Sequence, residues 1–494
     1  MRAPLPWLLL AALTLGASAA VLRVPQDLPG IQAAFDASAA GDTVLVDRGT
    51  WAGLVTGPAH SVTLCSNHLF TGDTTDIVET VLDGEYAGTI LDVHSGPDTW
   101  FTLHGLTLQR GQGQVVNAYI YCDRAGALHV TDSTNVRIEH VVFRDNRAPR
   151  RAAILHVVRQ CAGLGTRSHV VMRQVHCVNN RHDTIGENHL GAMSIKLSNG
   201  SIDLRGIRFV DAPDSGRHIN AHVSRSDSVI FDDIKMINCM GDLRLESSLA
   251  NGESRYTNIA IENQEGARGC LLSLTGSFSN PDSSVLAVHN IRIQGGVYLR
   301  RVPFGGFTYS SVSLDLDSLT VSQVRRLSTP NAGRLVQLQP YGHSTLRNLH
   351  MHHNVTGDST QCVGGSLLNI WNMDLLGAHI HDNRVILPPH PDPSGSGGNY
   401  VVGAMVYAWG GDRRFEDLVF ENNRVEDLDN VGNPVPGEAY HRNHGRELYA
   451  GGSSIQARNI HVRNSQAPNP CPEVYSPADI DLSGPGSTLA FIAD

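Results

Sequence analysis

The feature that most constrains the fold is a four-residue pattern, polar–apolar–x–apolar, closed two or three positions later by Asn or another turn residue. It recurs from Gly105 to Leu108, His140 to Phe143, Gln174 to Cys177, Gly206 to Phe209, Asp233 to Met236 and Asn258 to Ile261. It continues from Asn290 to Ile293, Ser318 to Val321, Asn348 to Met351, Gly377 to Ile380, Asp417 to Phe420 and Asn459 to Val462. In all twelve copies both alternating positions are apolar, and successive copies start 25 residues apart (Asp233 to Asn258) to 42 apart (Asp417 to Asn459). A second alternation lies just upstream in most copies, as in Val136/Ile138, Val170/Met172, Ile202/Leu204 and Met373/Leu375. A third opens on a small residue, as at Gly126, Gly191, Gly269 and Gly403. Alternation over four to six residues between Gly, Asn and Asp is a strand signal, since successive side chains on a strand point to opposite faces.

A unit of two or three short strands cannot bury its own apolar face. Stacking units about 4.8 Å apart pairs each strand with its equivalents and makes one continuous core. The expected fold is therefore all-β, a parallel β-helix solenoid, with the apolar pairs pointing inward. Asn146, Asn180, Asn354, Asn383 and Asn423 follow the second strand, where a left-handed turn conformation and hydrogen bonds along the stack are expected. A content of 41% hydrophobic and 17% charged residues supports a large core, and 49 Gly supply the turns. The net charge of −10 argues against a nucleic-acid partner. Lys occurs only at 196 and 235 while Arg is abundant, a skew that points to a GC-rich genome and not to a function.

These residues resemble the right-handed parallel β-helices of the pectin-lyase-like superfamily. Val24 and Pro25, the run Ile31 to Phe35, the strand Gly41 to Val46 and Gly49 to Trp51 look like that superfamily's opening, a short N-terminal capping helix leading into the first rung. Thr80 to Gly84 is similar to its second or third rung. The pairing of Gly-Ala-apolar elements with Phe143 and Asn146, or Phe420 and Asn423, is similar to the repeats of polymorphic outer-membrane proteins and related adhesins. The resemblance covers nearly the whole mature chain and implies a fold that carries many activities.

At the N-terminus Arg2, the apolar run Leu8 to Leu15 and the small residues Ala17, Ser18 and Ala19 read as a signal peptide over 1–19. The expectation is export to the outside or surface of a bacterium, with a single β-helix domain over 20–494 and no transmembrane segment. Long loops are expected near 112–125, 147–168, 384–402 and 424–450, the third including the Pro- and Gly-rich run 388–398. The chain ends at Ile492 to Asp494 just after an apolar alternation, as a truncated reading frame would. Eight cysteines contain no C-x-x-C pair; Cys177 and Cys239 suit buried thiols, and Cys122 and Cys161 suit a bridge between neighbouring loops.

The superfamily resemblance implies a search for uronate-polymer chemistry. A galacturonan hydrolase of this fold would carry Asn-Thr-Asp, Asp-Asp, Gly-His-Gly and Arg-Ile-Lys in order. The chain has Asp232 and Asp233, but Gly342 to Ser344 and Arg292 to Gln294 fall in the wrong order. Asn135 to His140 and Arg147 to Arg151 only superficially resemble the pectate-lyase strand and turn. Without a recognised lyase, hydrolase or esterase set, two function classes stand. One is a noncatalytic, adhesin-like scaffold, expected as a monomer, that binds an acidic polysaccharide or a cell-surface partner. The other is a divergent polysaccharide lyase or glycoside hydrolase.

Reading the third position of successive copies gives a cationic or titratable outward stripe of His176, Arg208, Lys235, Arg292, His350, His379 and His461. Asp315 and Asp317 share a face as an outward carboxylate pair, suited to Ca²⁺ or to solvent. Asp427, Asp429, Glu438, His441, His444 and Glu447 crowd one long segment that could wall a ligand groove with the 384–402 loop. No cofactor is required. A surface divalent transition metal is expected where His350 meets His379 and His352 meets His381, a rectangle of roughly 5 by 7 Å with Glu421 on the next copy.

Overall fold

The computed structural model describes residues 19–115, 123–131, 134–149, 152–158, 167–182, 192–197, 199–211, 217–264, 270–278, 285–298, 303–308, 313–326, 334–356, 366–387, 404–427, 446–451, 455–464, 473–475 and 489–492. The 1–19 segment read as a signal peptide falls outside them except for its last residue, and Cys122 and Cys161 lie outside as well.

The strand Val21–Val24 pairs in parallel with Thr43–Val46, and the ladder climbs through Val62–Ser66, Trp100–His104, Asn135–Glu139, Ser168–Val178 and Gly200–Val210. It continues through Arg217–Ile237, Gly241–Glu262, Val285–Gln294, Ser313–Ser322, Ser344–His352, Met373–His381, Arg413–Glu421 and Ile455–Arg463. A second parallel ladder carries the Gly-opened strands, among them Leu91–Val93, Leu128–Val130, Leu155–Val158 and Met193–Leu197. The chain is a right-handed parallel β-helix, the hand expected wherever parallel strands are joined by crossovers. At its start the helix Ile31–Ala37 turns Ile31, Ala34 and Phe35 onto the first rung.

Each copy is bent at two fixed points. Its first residue, from Gly105 and His140 through to Asp417 and Asn459, has positive φ in all twelve copies. A second left-handed residue follows five positions later in most of them, for instance Asp145, Asn179, His353, Asp382 and Asn422. Between the bends the apolar pair faces inward: Val141/Phe143, Ile291/Ile293 and Leu418/Phe420 are all buried. Cys177 and Cys239 are buried, as expected.

The left-handed residue is thus the one before each recurring Asn, not the Asn itself. That leaves the Asn side chain free to turn inward. Asn146 donates to the amide oxygen of Asn180 at 2.9 Å, and Asn354, Asn383 and Asn423 form a second buried ladder through amide contacts of 2.9 and 3.1 Å.

Several expected loops contain strands. Leu155–Val158 lies inside 147–168, and Arg384–Leu387 and Arg424–Asp427 occupy the starts of the 384–402 and 424–450 segments. The last two belong to a five-stranded parallel sheet with Val297–Tyr298, Arg325–Arg326 and Val355–Thr356. Strands of two residues show no alternation, so pairing with the neighbouring rung defines them. Gly126 also gains its reason here: a Cβ would overlap the carbonyl oxygen of Ala153, so the small residue lets two rungs approach. No helix among the described residues is long and apolar enough to cross a membrane.

Candidate functional site on the lateral face

The third position of each copy lies between two inward residues; in the first copy it is the buried Thr107, and from the second copy on it points outward. Parallel register stacks these eleven outward positions into one column: Val142, His176, Arg208, Lys235, Ala260, Arg292, Thr320, His350, His379, Val419 and His461. The expected stripe therefore exists as one column, but it is not continuous. Ala260, Thr320 and Val419 divide it into a cationic stretch, the lone Arg292, a histidine stretch and His461.

In the cationic stretch His176, Arg208 and Lys235 occupy three successive rungs. Burial, then the Arg208 charge, holds His176 below the ordinary imidazole range. His176 brings an imidazole to the row beside the cationic side chains of Arg208 and Lys235. Lys235 Nζ lies 2.9 Å from Glu262, and Arg292 donates to Gln294 at 2.6 Å. Two positions along each strand, Val178, Val210 and Ile237 form a half-buried apolar row in the same register.

In the histidine stretch, His350 pairs with His379 and His352 with His381, as expected. The rings match the expected spacing across rungs, with centroids 5.5 and 5.2 Å apart, but sit closer along the strands, at 4.7 and 4.3 Å. They lean toward one another, so the along-strand separation is shorter than the backbone repeat. His350 Nε2 lies 2.8 Å from His381 Nε2, and His379 Nε2 lies 3.5 Å from Glu421. His352 instead turns its Nδ1 to His353 at 2.9 Å and stacks on His381. Burial, then the neighbouring imidazoles, pushes His352 down to about 4 and lowers His350. His353 and Asp382 were not foreseen, because they occupy the bend rather than the strand. Asp382 accepts from His381 Nδ1 at 2.7 Å, which supplies the orienting partner that an open histidine surface would lack.

The carboxylate pair is outward but occupied. Asp315 is paired with Arg347, and Asp317 with His289 at 3.0 Å and Asn348 at 2.7 Å. In the segment expected to wall a groove, Asp427 and Glu447 fall within the strands Arg424–Asp427 and Arg446–Gly451, while Asp429, Glu438, His441 and His444 lie outside the described residues.

A covered polar cluster went unread in the sequence because its members come from different copies. Asp92, His129 and His156 stack in register on the second ladder. His94 Nε2 and Arg124 approach Asp92 at 2.8 and 3.1 Å, and His156 Nδ1 donates to the carbonyl of Asp123 at 2.7 Å. Burial, then His156, pushes His129 down to about 3.

No family model matches the chain, and no curated protein matches it. Among solved structures it is similar to the family 28 exopolygalacturonase of Yersinia enterocolitica, at 10% identity and TM-score 0.26 over 94% of this chain and 78% of that one. It is also similar to the A-module of a mannuronan C-5 epimerase from Azotobacter vinelandii, at 13% identity and TM-score 0.27 over 93% of this chain and 95% of that one. Both are pectin-lyase-like parallel β-helices.

Proposed function

We propose that this β-helix is an exported binding scaffold that holds an acidic polysaccharide along its lateral face. One observation supports the reading: His176, Arg208 and Lys235 project from three successive rungs beside the apolar row of Val178, Val210 and Ile237. A polyuronate offers carboxylates at regular intervals and an apolar C–H face on each ring, and such a two-row surface complements both. The chain as a whole is acidic, so long-range attraction does not bring the polymer in. At physiological ionic strength charges are screened within about 8 Å, so the local row governs the contact.

The test is retention on immobilised polygalacturonate at low salt. The wild-type chain is expected to elute later than the triple variant His176→Asn, Arg208→Ser, Lys235→Ser, with equal thermal stability. Equal retention would refute the binding row. Release of unsaturated or reducing ends during the same incubation would replace the binding reading with a catalytic one.

A further inference from the structure

We propose that His350, His379 and His381, completed by Glu421, form a binding site for one divalent transition-metal ion. Among the described residues these three histidines bring their ligand nitrogens within 4.8 Å of one another. The site is independent of the polysaccharide row and lies further along the same column.

Four donors at 2.0–2.1 Å around a tetrahedral ion stand about 3.3 Å from one another. The two separations fixed here bracket that value: 2.8 Å between His350 Nε2 and His381 Nε2, and 3.5 Å between His379 Nε2 and Glu421 Oε2. Rotations of the outer side chains close the difference.

The hydrogen bonding around the rings points the same way. Asp382 accepts a hydrogen bond from Nδ1 of His381, which leaves Nε2 of that ring turned toward His350. This carboxylate–imidazole arrangement orients ligating histidines and raises their basicity. Two imidazole nitrogens at 2.8 Å share either a proton or a cation. Imidazole with one carboxylate suits Zn²⁺, Ni²⁺ or Cu²⁺ rather than Ca²⁺ or Mg²⁺. His352 and His353 bind each other instead and stand beside the ion as stacking neighbours.

The experiment uses the full chain without a histidine tag, stripped with chelator and titrated calorimetrically with Zn²⁺. Co²⁺ serves as a spectroscopic probe of coordination number. One ion per chain is expected, with Kd tighter than about 1 mM and the intense visible bands of a four-coordinate Co²⁺ complex. His379→Gln/His381→Gln should weaken binding at least tenfold, whereas His176→Gln/His461→Gln should leave it unchanged. Circular dichroism checks that each variant is folded, and His350→Gln replaces the double variant if that fails to fold. Affinity weaker than about 1 mM, or a loss of less than tenfold in the ligand variant, would overturn the site.

Discussion

The side-chain amide of Asn354 donates to the amide oxygen of Asn383 at 2.9 Å, and the same oxygen accepts the backbone N–H of Asn354 at 3.0 Å. The relationship repeats one rung on, between Asn383 and Asn423. Each amide thus caps the bend of the rung before it and holds adjacent copies in register. That register places the outward side chains of distant copies side by side.

Removing one amide from this ladder should therefore be costly. Asn383→Ala removes its donations to Met351 and Asn423 and takes away the oxygen that accepts both the backbone N–H of Asn354 and one N–H of its side-chain amide. Unsatisfied buried groups cost about 1–3 kcal/mol each. Urea unfolding should show a loss of at least about 1 kcal/mol. A change within experimental error would mean that strand pairing alone sets the register.

Ile293 is fully buried between rungs, and Arg292 beside it faces solvent. Ile293→Asp should destabilise by more than about 3 kcal/mol by burying an unpaired charge. Arg292→Ser should stay within about 0.5 kcal/mol. Thermal melts of the two variants check the alternation directly, and similar losses would contradict it.

Stability should fall as the solution is acidified, in part through His129. Its folded value is about 3 against an ordinary 6.5, so between those limits the unfolded chain binds a proton that the folded chain does not. Its contribution is complete above pH 6.5 and is lost progressively as pH falls toward 3. His129→Phe should flatten the decline in melting temperature between pH 7 and pH 4.5. Parallel wild-type and variant profiles would remove His129 as a cause.

Much of the scaffold was legible because each copy carries period-two alternation between residues that accept a left-handed bend. The positive φ at the first residue of every copy, from Gly105 to Asn459, is the physical form of that signal. The short sheet of Val297–Tyr298, Arg325–Arg326, Val355–Thr356, Arg384–Leu387 and Arg424–Asp427 was not legible, since strands of two to four residues have too little length to show a period. Column membership followed from alignment, so His350 beside His379 was foreseen. Ring orientation did not follow: His352 turns toward His353, and Asp382 reaches His381 from the bend. The cluster of Asp92, His129 and His156 depends on contacts across three copies and leaves no local pattern.

The proposed binding face can be read at a single residue, because the chain contains only two lysines, Lys196 and Lys235. Lys235 lies on the cationic row, and Lys196 belongs to the second ladder on the strand Met193–Leu197. Amine acetylation followed by mass spectrometry, with and without polygalacturonate, compares them within one molecule. Slower labelling of Lys235 with unchanged labelling of Lys196 is the result predicted. Equal labelling of Lys235 in the presence and absence of excess polymer would contradict it.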